Sequence, residues 1–354
     1  MQIKKHSSFW ARFGLILLLS IALSWSGISQ AEASLKVYFL DVDQAEATLL
    51  IGPDFTILID AGDRGNNDVV PQLERLGVDK LDLLIFTHPH ADHIGQGAAV
   101  LKHFPVEEVW MSGYEHTTKL FNDLLDAILA TDAYYHEPRR GEVFSFGDLR
   151  LEILHPDKLY SDLHHTNIVM RAVYGDIAFL FTGDGEIKTE NSILASGLPV
   201  QAQILQLGHH GSRTSSGIEF LIAVDPKVAI YSAGMNNDYG HPHPEVVERI
   251  VRLGFDLYGT EVFGTIVVST DGFDYSIEVS KAGDQLKVRG VDLNTANLQD
   301  LQRIVHIGPG RAQEIIDLRK VEPFQSLDDL KRVSGLGEKR IQEIKEQGIA
   351  YVKE

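Results

Sequence analysis

The sequence predicts a layered α/β domain followed by a small all-α domain. Three observations lead there. From residue 35 to about 280, short apolar runs alternate with segments of helical spacing. Several of those runs end in histidine or aspartate. Beyond a polar stretch, the C-terminal part carries one helix–Gly-x-Gly–helix unit twice.

A chain of 354 residues is long enough for a large core and two folded domains. A hydrophobic content of 44% fits a soluble globular protein. With no cysteine, disulfides, cysteine zinc fingers and thiol nucleophiles are excluded, and any metal must be held by His, Asp or Glu. The formal net charge of -18 argues against broad nonspecific nucleic-acid binding but not against a local site. Residues 1–33 have the pattern of a secretory signal peptide. Lys4, Lys5 and Arg12 form a basic start, Phe13 to Trp25 an apolar core, and Ala31-Glu32-Ala33 a cleavage site. The mature chain would then begin near Ser34, outside the cytoplasm. The alternative is an uncleaved anchor, for which the apolar core is short.

Leu35-Lys36-Val37-Tyr38-Phe39-Leu40 alternates partly and reads as a strand. Thr48–Ile51 and Thr56–Ile59 flank a turn at Gly52-Pro53-Asp54. Asp60-Ala61-Gly62 closes the third strand, where Asp60 either forms the turn or orients a ligand histidine. Val69, Val70, Leu73 and Leu76 have helical spacing, with Gly77 as the stop. Leu120, Phe121, Leu124, Leu125 and Ile128 lie on one face of a helix over 117–130. Short alternations over 142–154 read as strands. Asn167–Tyr174 and Ile177–Phe181 are two more, joined at Gly175-Asp176.

The chemistry is concentrated where strands end. Leu83-Leu84-Ile85-Phe86 runs into Thr87-His88-Pro89-His90-Ala91-Asp92-His93, and Pro89 ends the strand. Four potential ligands, His88, His90, Asp92 and His93, fall within six residues. Imidazole and carboxylate suit zinc, manganese or iron, one His pair for one ion and the Asp-His pair for another. The strand ending at Phe181 leads to Thr182-Gly183-Asp184, where Asp184 is placed to bridge two ions. His164 and His165 lie upstream, as a further ligand (His165 is the candidate) or as surface residues. Ile204–Leu207 runs into Gly208-His209-His210-Gly211-Ser212, and Val228–Ser232 toward Asn237 and His241-Pro242-His243. Ser212, Ser215 and Asn237 are candidate substrate contacts, although Ser215 equally suits a helix cap.

The run from His88 to His93 resembles the first metal motif of the metallo-β-lactamase superfamily. Leu207-Gly208-His209-His210-Gly211-Ser212 and Tyr239-Gly240-His241-Pro242 resemble the hydrolase domain of the ComEC competence DNA-uptake proteins. Phe39-Leu40-Asp41-Val42-Asp43-Gln44-Ala45-Glu46-Ala47 is similar to their opening motif, with Asp43, Ala45 and Glu46 in place of Gly, Gly and Asp. That change implies a stiffer loop, with any role of the missing Asp passing to Glu46. The resemblance covers about 35–280 and lacks the channel part of those proteins. It implies an αββα sandwich over 34–280 and two divalent ions, zinc or manganese. Asp184 would bridge them, with His88 and His90 on one ion and Asp92, His93 and His210 on the other; His209 is the fallback for His210. The catalytic candidates are Asp92, Asp184 and His241, the last for the leaving group or the substrate.

Residues 281–290 are polar and read as a linker. In 291–354, Asn294-Thr295 should start a helix through Leu298, Leu301 and Ile304. Gly308-Pro309-Gly310 precedes a second helix, which Pro323 breaks. Ser326-Leu327-Asp328-Asp329 has the form of a capping box, and Gly335-Leu336-Gly337 precedes another helix. The repeat resembles the tandem helix-hairpin-helix domain of ComEA. Glycines let the backbone approach a phosphate, and helix starts present N–H groups to it. Gly308, Gly310, Arg311, Gly335, Gly337, Lys339 and Arg340 are the DNA-binding candidates. Residues 285–354 carry 12 Lys+Arg against 11 Asp+Glu, so the acidity belongs to the preceding part. A helical protein-interaction module is the competing reading. The leading function is metal-dependent phosphodiester hydrolysis of DNA. The alternatives are a cell-envelope phosphodiesterase or esterase, and a DNA-binding uptake factor with weak catalysis.

Overall fold

The computed structural model describes residues 34–283, 291–347 and 349–352. The expected leader over 1–33, and 284–290 of the expected linker, lie outside these residues.

Strands β1 (Leu35–Phe39), β2 (Thr48–Ile51) and β3 (Thr56–Ile59) form an antiparallel meander. Tight turns suffice for that pairing, whereas parallel neighbours need a crossover. Helices supply it: α1 (Val69–Arg75) leads to β4 (Leu81–Phe86). Then α2 (Ala91–Ile94) and α3 (Gly97–His103) lead to β5 (Val106–Met111). Helix α4 (Lys119–Leu129), capped by Thr118, leads to β6 (Tyr134–His136). The second sheet starts antiparallel with β7 (Val143–Phe146), β8 (Leu149–His155), β9 (Val169–Tyr174) and β10 (Ile177–Phe181). It continues in parallel through α5 (Ile187–Ser196), β11 (Ile204–Gln206), α6 (Ile218–Val224), β12 (Val228–Tyr231), α7 (Pro244–Arg252) and β13 (Asp256–Gly259). After α8 (Thr260–Phe263), the chain returns as β14 (Ile266–Thr270) and β15 (Tyr275–Val279) to the free side of β1. The result is an eight-stranded sheet, β15-β14-β1-β2-β3-β4-β5-β6, facing a seven-stranded one, β13-β12-β11-β10-β9-β8-β7.

Side-chain alternation decides what each face meets. Phe39, Ile57, Ile85 and Trp110 of the first sheet pack against Phe179, Phe181, Ile204 and Ile230 of the second. On the outer face of the first sheet, Leu49, Leu58 and Leu84 meet Leu73, Val100 and Leu124 of the helices. Outside the second, Leu180, Leu205 and Ala229 meet Ile193, Phe220, Leu221 and Ile250. The architecture is therefore the four-layer αββα sandwich. Strands covered on both faces bury nearly every residue, as in β10, which explains their unbroken apolar runs.

The topology also places the site. β3 and β4 are parallel, as are β10, β11 and β12, so their C-terminal ends come side by side at one edge of the sandwich.

The C-terminal part has its own core of Leu301, Ile315, Phe324, Leu330 and Ile344. It comprises β16 (Val291–Asp292), α9 (Leu298–Leu301), α10 (Pro309–Val321), a 3-10 turn (Leu327–Arg332), α11 (Glu338–Gln347) and β17 (Ala350–Tyr351). The first helix starts later than the sequence suggested, because Asn297 caps it through the Asp300 amide. Asn294 instead holds both backbone groups of Phe324. The capping box of Ser326 and Asp329 is present but opens a 3-10 turn. Arg303 reaches Glu248 on α7 at 3.5 Å. Among the described residues no helix is long and apolar enough to cross a membrane.

Candidate metal centre

The centre is built from the ends of β3, β4, β10, β11 and β12. Asp60, at the end of β3, is fully buried and accepts from the Thr87 amide and hydroxyl, both at 2.8 Å. Its Oδ2 also lies 2.8 Å from His93 Nδ1. A carboxylate on Nδ1 fixes the tautomer and turns Nε2 inward. Asp184 follows β10 through Gly183, whose φ of +48° and contact with the Asn167 side chain leave no room for a Cβ. Asn167 Oδ1 accepts from the Asp184 amide and so aims that carboxylate. His209 and His210 both adopt left-handed backbone, φ 52° and 54°, a costly conformation that turns both imidazoles toward the mouth. His210 Nδ1 donates to the Ser232 carbonyl at 2.8 Å, leaving its Nε2 inside. Behind it, buried Glu46 accepts from the Ser232 and Thr48 hydroxyls.

Asp184 is the common neighbour. Its Oδ2 lies 3.3 Å from His88 Nε2 and 4.0 Å from His90 Nδ1, and its Oδ1 lies 3.2 Å from His93 Nε2 and 3.8 Å from His210 Nε2. Asp92 Oδ2 is 3.3 Å from His210 Nε2. Donor atoms of His88, His90, His164 and Asp184 lie within 4.8 Å of one another, as do those of Asp92, His93 and His210. His93 Nε2, His210 Nε2 and Asp184 Oδ1 are buried without a hydrogen-bond partner, an arrangement that burial alone would penalise. Donor type, spacing and unpartnered atoms together fit two divalent ions.

The titration behaviour agrees. Burial and the neighbouring His93 push His88 down to about 3, so it stands ready as a neutral ligand. Burial opposes protonation of His210, but Asp92 and Asp184 outweigh it and raise it to about 9. His93 is raised in the same way, against burial, by Asp184 and Asp60. Burial disfavours the Asp184 anion, yet the surrounding histidines hold its pKa well below the carboxylate range. His93 and His210 thus hold protons where a divalent cation would otherwise balance the Asp184 charge.

Several expectations change. His165 is not in the cluster: its ring packs on Tyr160 at 4.0 Å and its Nδ1 meets Thr189. The single 3-10 turn His164–Thr166 sends His164 inward instead, 4.8 Å from His90 and 4.9 Å from His209 between ring centroids. Ser215 is turned into the protein, donating to the Gly208 and Ser212 carbonyls, and Ser212 is buried against Thr214. Neither lines the cleft. Asn237 clamps its own loop, donating to the Gly234 and His241 carbonyls and accepting from the His241 amide. These bonds make it a support of that loop.

His209 sits over Asp184, with Nε2 3.8 Å from Oδ2, while its Nδ1 faces Glu186 at 3.6 Å and Thr214 at 3.2 Å. Glu186 escaped the sequence reading; its position two residues beyond Asp184, at the same strand end, was the available signal. His241 completes the rim. Gln44 Oε1 accepts from the Gly234 amide, which turns its Nε2 toward His241 Nδ1 at 3.3 Å. Nδ1 therefore accepts, and the imidazole proton sits on Nε2. Burial and the adjacent histidines lower His241 to about 4, so it is neutral near pH 7. A cleft of about 310 Å³ is lined by Gln44, His90, Asp92, His164, Asp184, His209, His210, Tyr239 and His241. Asp43 has φ +61°, the conformation glycine adopts freely.

In the C-terminal part, Gly308 and Gly310 lie at the start of α10, and Gly337 precedes α11. Space beyond all three is open, while Gly335 has φ +74°. Arg311 bonds the His306 and Ser334 carbonyls, and Arg340 bonds the Gly335 carbonyl, so both brace the hairpins. The Lys339 side chain is 92% exposed.

Comparison with known proteins agrees with this architecture. Residues 40–234 match the model of the metallo-beta-lactamase superfamily, and residues 287–347 that of the helix-hairpin-helix motif. ComE operon protein 3 of Bacillus subtilis is 33% identical over 204 residues, covering 57% of this chain and 26% of that protein. Competence protein ComA of Neisseria gonorrhoeae is 30% identical over 260 residues, covering 71% of this chain and 34% of its own length. ComE operon protein 1 of B. subtilis is 45% identical over 56 residues, 16% of this chain and 27% of that protein. The chain thus spans about a quarter to a third of the length of these relatives.

Proposed function

The chain belongs to the metallo-beta-lactamase superfamily, and we propose that it is a metal-dependent phosphodiesterase that cleaves DNA. The observation that carries this reading is one chain holding both a two-ion donor cluster and a repeated helix-hairpin-helix unit. His88, His90, His164 and Asp184 would hold one ion and Asp92, His93, His210 and Asp184 the other, the ions being zinc or manganese. When bound, such ions supply a hydroxide nucleophile near neutral pH and offset charge on the phosphoryl oxygens.

The protein's own groups do the rest. Asp60 holds His93 in the tautomer that presents Nε2. Asp184, with Oδ2 3.3 Å from His88 Nε2 and Oδ1 3.2 Å from His93 Nε2, would serve both ions. His241 offers Nε2–H at the rim, where a neutral imidazole serves better as a hydrogen-bond donor to a phosphoryl oxygen than as a proton source. The hairpins present backbone N–H groups at the starts of α10 and α11, and Lys339, exposed and 3.9 Å from Glu343, adds a positive charge for the DNA backbone. In this reading the hydrolase domain spans 34–280 and the DNA-binding domain 291–354. The basic, apolar and small-residue pattern of 1–33 supports action outside the cytoplasm, which amino-terminal sequencing of the native protein would test.

The decisive experiment is hydrolysis of single- and double-stranded DNA and of methyl p-nitrophenyl phosphate by the full chain, with and without zinc or manganese. Turnover of both DNA and ester, dependent on metal, is expected. Hydrolysis of the ester without any DNA cleavage would move the assignment to a cell-envelope phosphodiester. DNA binding without hydrolysis of either would leave a DNA-binding uptake factor.

A further inference from the structure

We infer that Tyr239 is a stacking platform for an unpaired nucleobase next to the scissile phosphate. The inference rests on the phosphodiesterase reading above and names the form of DNA that the site takes.

The starting observation is a large aromatic side chain left 68% exposed at the mouth of the metal cleft. It is the end of a row of rings. His210 and His241 are nearly parallel, 22° apart with centroids at 6.1 Å, and His241 and Tyr239 are 21° apart at 5.7 Å. The row leads from a metal-ligand candidate out to solvent. A phosphate seated among Asp184, His210 and His241 would carry its neighbouring nucleoside outward along this row. The last ring there presents an open face.

The loop that carries the platform is tied down before any ligand arrives, and the ring itself rests on His241. Asn237 ties the loop to the Gly234 and His241 carbonyls, Gln44 holds the Gly234 amide, and the His243 amide donates to the Gly211 carbonyl. Little ordering is then needed on binding, which is the condition under which a single stacked ring contributes most. Every base has a π-face, so such a ring accepts any sequence. Within a duplex both faces of a base are covered by its neighbours. A base must be unpaired, terminal or flipped out to reach the ring. The site therefore favours single-stranded DNA or strand ends over continuous duplex.

The test compares two esters with the same leaving group, thymidine 5′-(p-nitrophenyl phosphate) and methyl p-nitrophenyl phosphate, with manganese present. Wild-type protein should prefer the thymidine ester in kcat/KM, chiefly through KM. Tyr239→Leu should lower that preference about tenfold, within the range measured for single base–aromatic stacks. Tyr239→Phe should keep it, because the ring and not the hydroxyl is used, and Tyr239→Trp should raise it. The preference for a single-stranded oligonucleotide over a blunt duplex should shrink in Tyr239→Leu in parallel. An unchanged preference in both Tyr239→Leu and Tyr239→Trp overturns the platform. Loss of it in Tyr239→Phe overturns it in favour of the hydroxyl. Failure of the wild type to hydrolyse either ester is a different result, and removes the phosphodiesterase reading itself.

Discussion

Asp184 and Asp60 are both buried carboxylates beside the same histidine, yet they have different tasks. Asp184 offers both oxygens to the donor cluster, one of them with no hydrogen-bond partner. Asp60 is saturated by Thr87 and His93 and touches no other candidate ligand. Asp60→Asn should therefore keep both ions at saturating metal but weaken metal affinity about 10- to 100-fold, the usual effect of losing a carboxylate behind a ligand histidine. Asp184→Ala should lose metal at both positions. Elemental analysis after dialysis against graded metal concentrations separates the two. Equal metal loss in both variants would show that Asp60 is itself a ligand. The spacing of His88, His90, Asp92 and His93 made that motif legible, because it is local. The choice between His164 and His165 was not, because the phase of a single turn is set by distant partners. Tyr160 and Thr189 draw His165 away, and only then does His164 face the cleft. Ser212 and Ser215 failed for the same reason: two serines in a loop carry no sign of which way they turn.

At the scale of elements, strands and helices with clear periodicity were legible, and their ends were not. The helix expected from Asn294 begins after Asn297, because Phe324 competes for the Asn294 side chain. The segment between β8 and β9 offers a sharper case, since it carries His164. Its base is His155, which is buried; its Nε2 donates to the His165 carbonyl and its Nδ1 accepts from Arg140. Both nitrogens are thus committed to the neutral ring. Burial first, and then the charges of His165 and Arg140, lower it to about 4 from an ordinary value of 6.5. A histidine depressed in the folded state contributes stability that is complete above pH 6.5 and is lost as pH falls toward 4. Between pH 7 and 5 that loss amounts to about 2 kcal/mol. Metal-free wild-type protein should lose this much more stability over that interval than His155→Gln does, measured by urea unfolding. Parallel losses in the two proteins would mean that His155 already titrates normally.

At the scale of the whole molecule, topology and charge act together. The parallel pairings bring the ends of β3, β4, β10, β11 and β12 to one edge, a gathering that strand periodicity alone does not encode. The strand ends were readable as carriers of chemistry, but their convergence followed only from the resemblance. Charge, by contrast, was legible at once. The chain as a whole is at -18, while 285–354 has 12 basic and 11 acidic residues, so under the proposed function the acidic sandwich would repel DNA and the hairpins would draw it in. The C-terminal part has a separate apolar core, and nothing in the metal cluster comes from it. Deleting 285–354 should therefore lower DNA affinity at least about tenfold at low salt, where phosphate contacts matter most. It should leave kcat/KM for methyl p-nitrophenyl phosphate within about twofold, since the donor cluster is untouched. Within the full chain, Lys339→Ala should weaken binding to all sequences alike and reduce the slope of log affinity against log salt by about one. Fluorescence anisotropy across a salt series reads both effects. Undiminished binding by the truncated protein would place the DNA anchor on the sandwich, despite its charge.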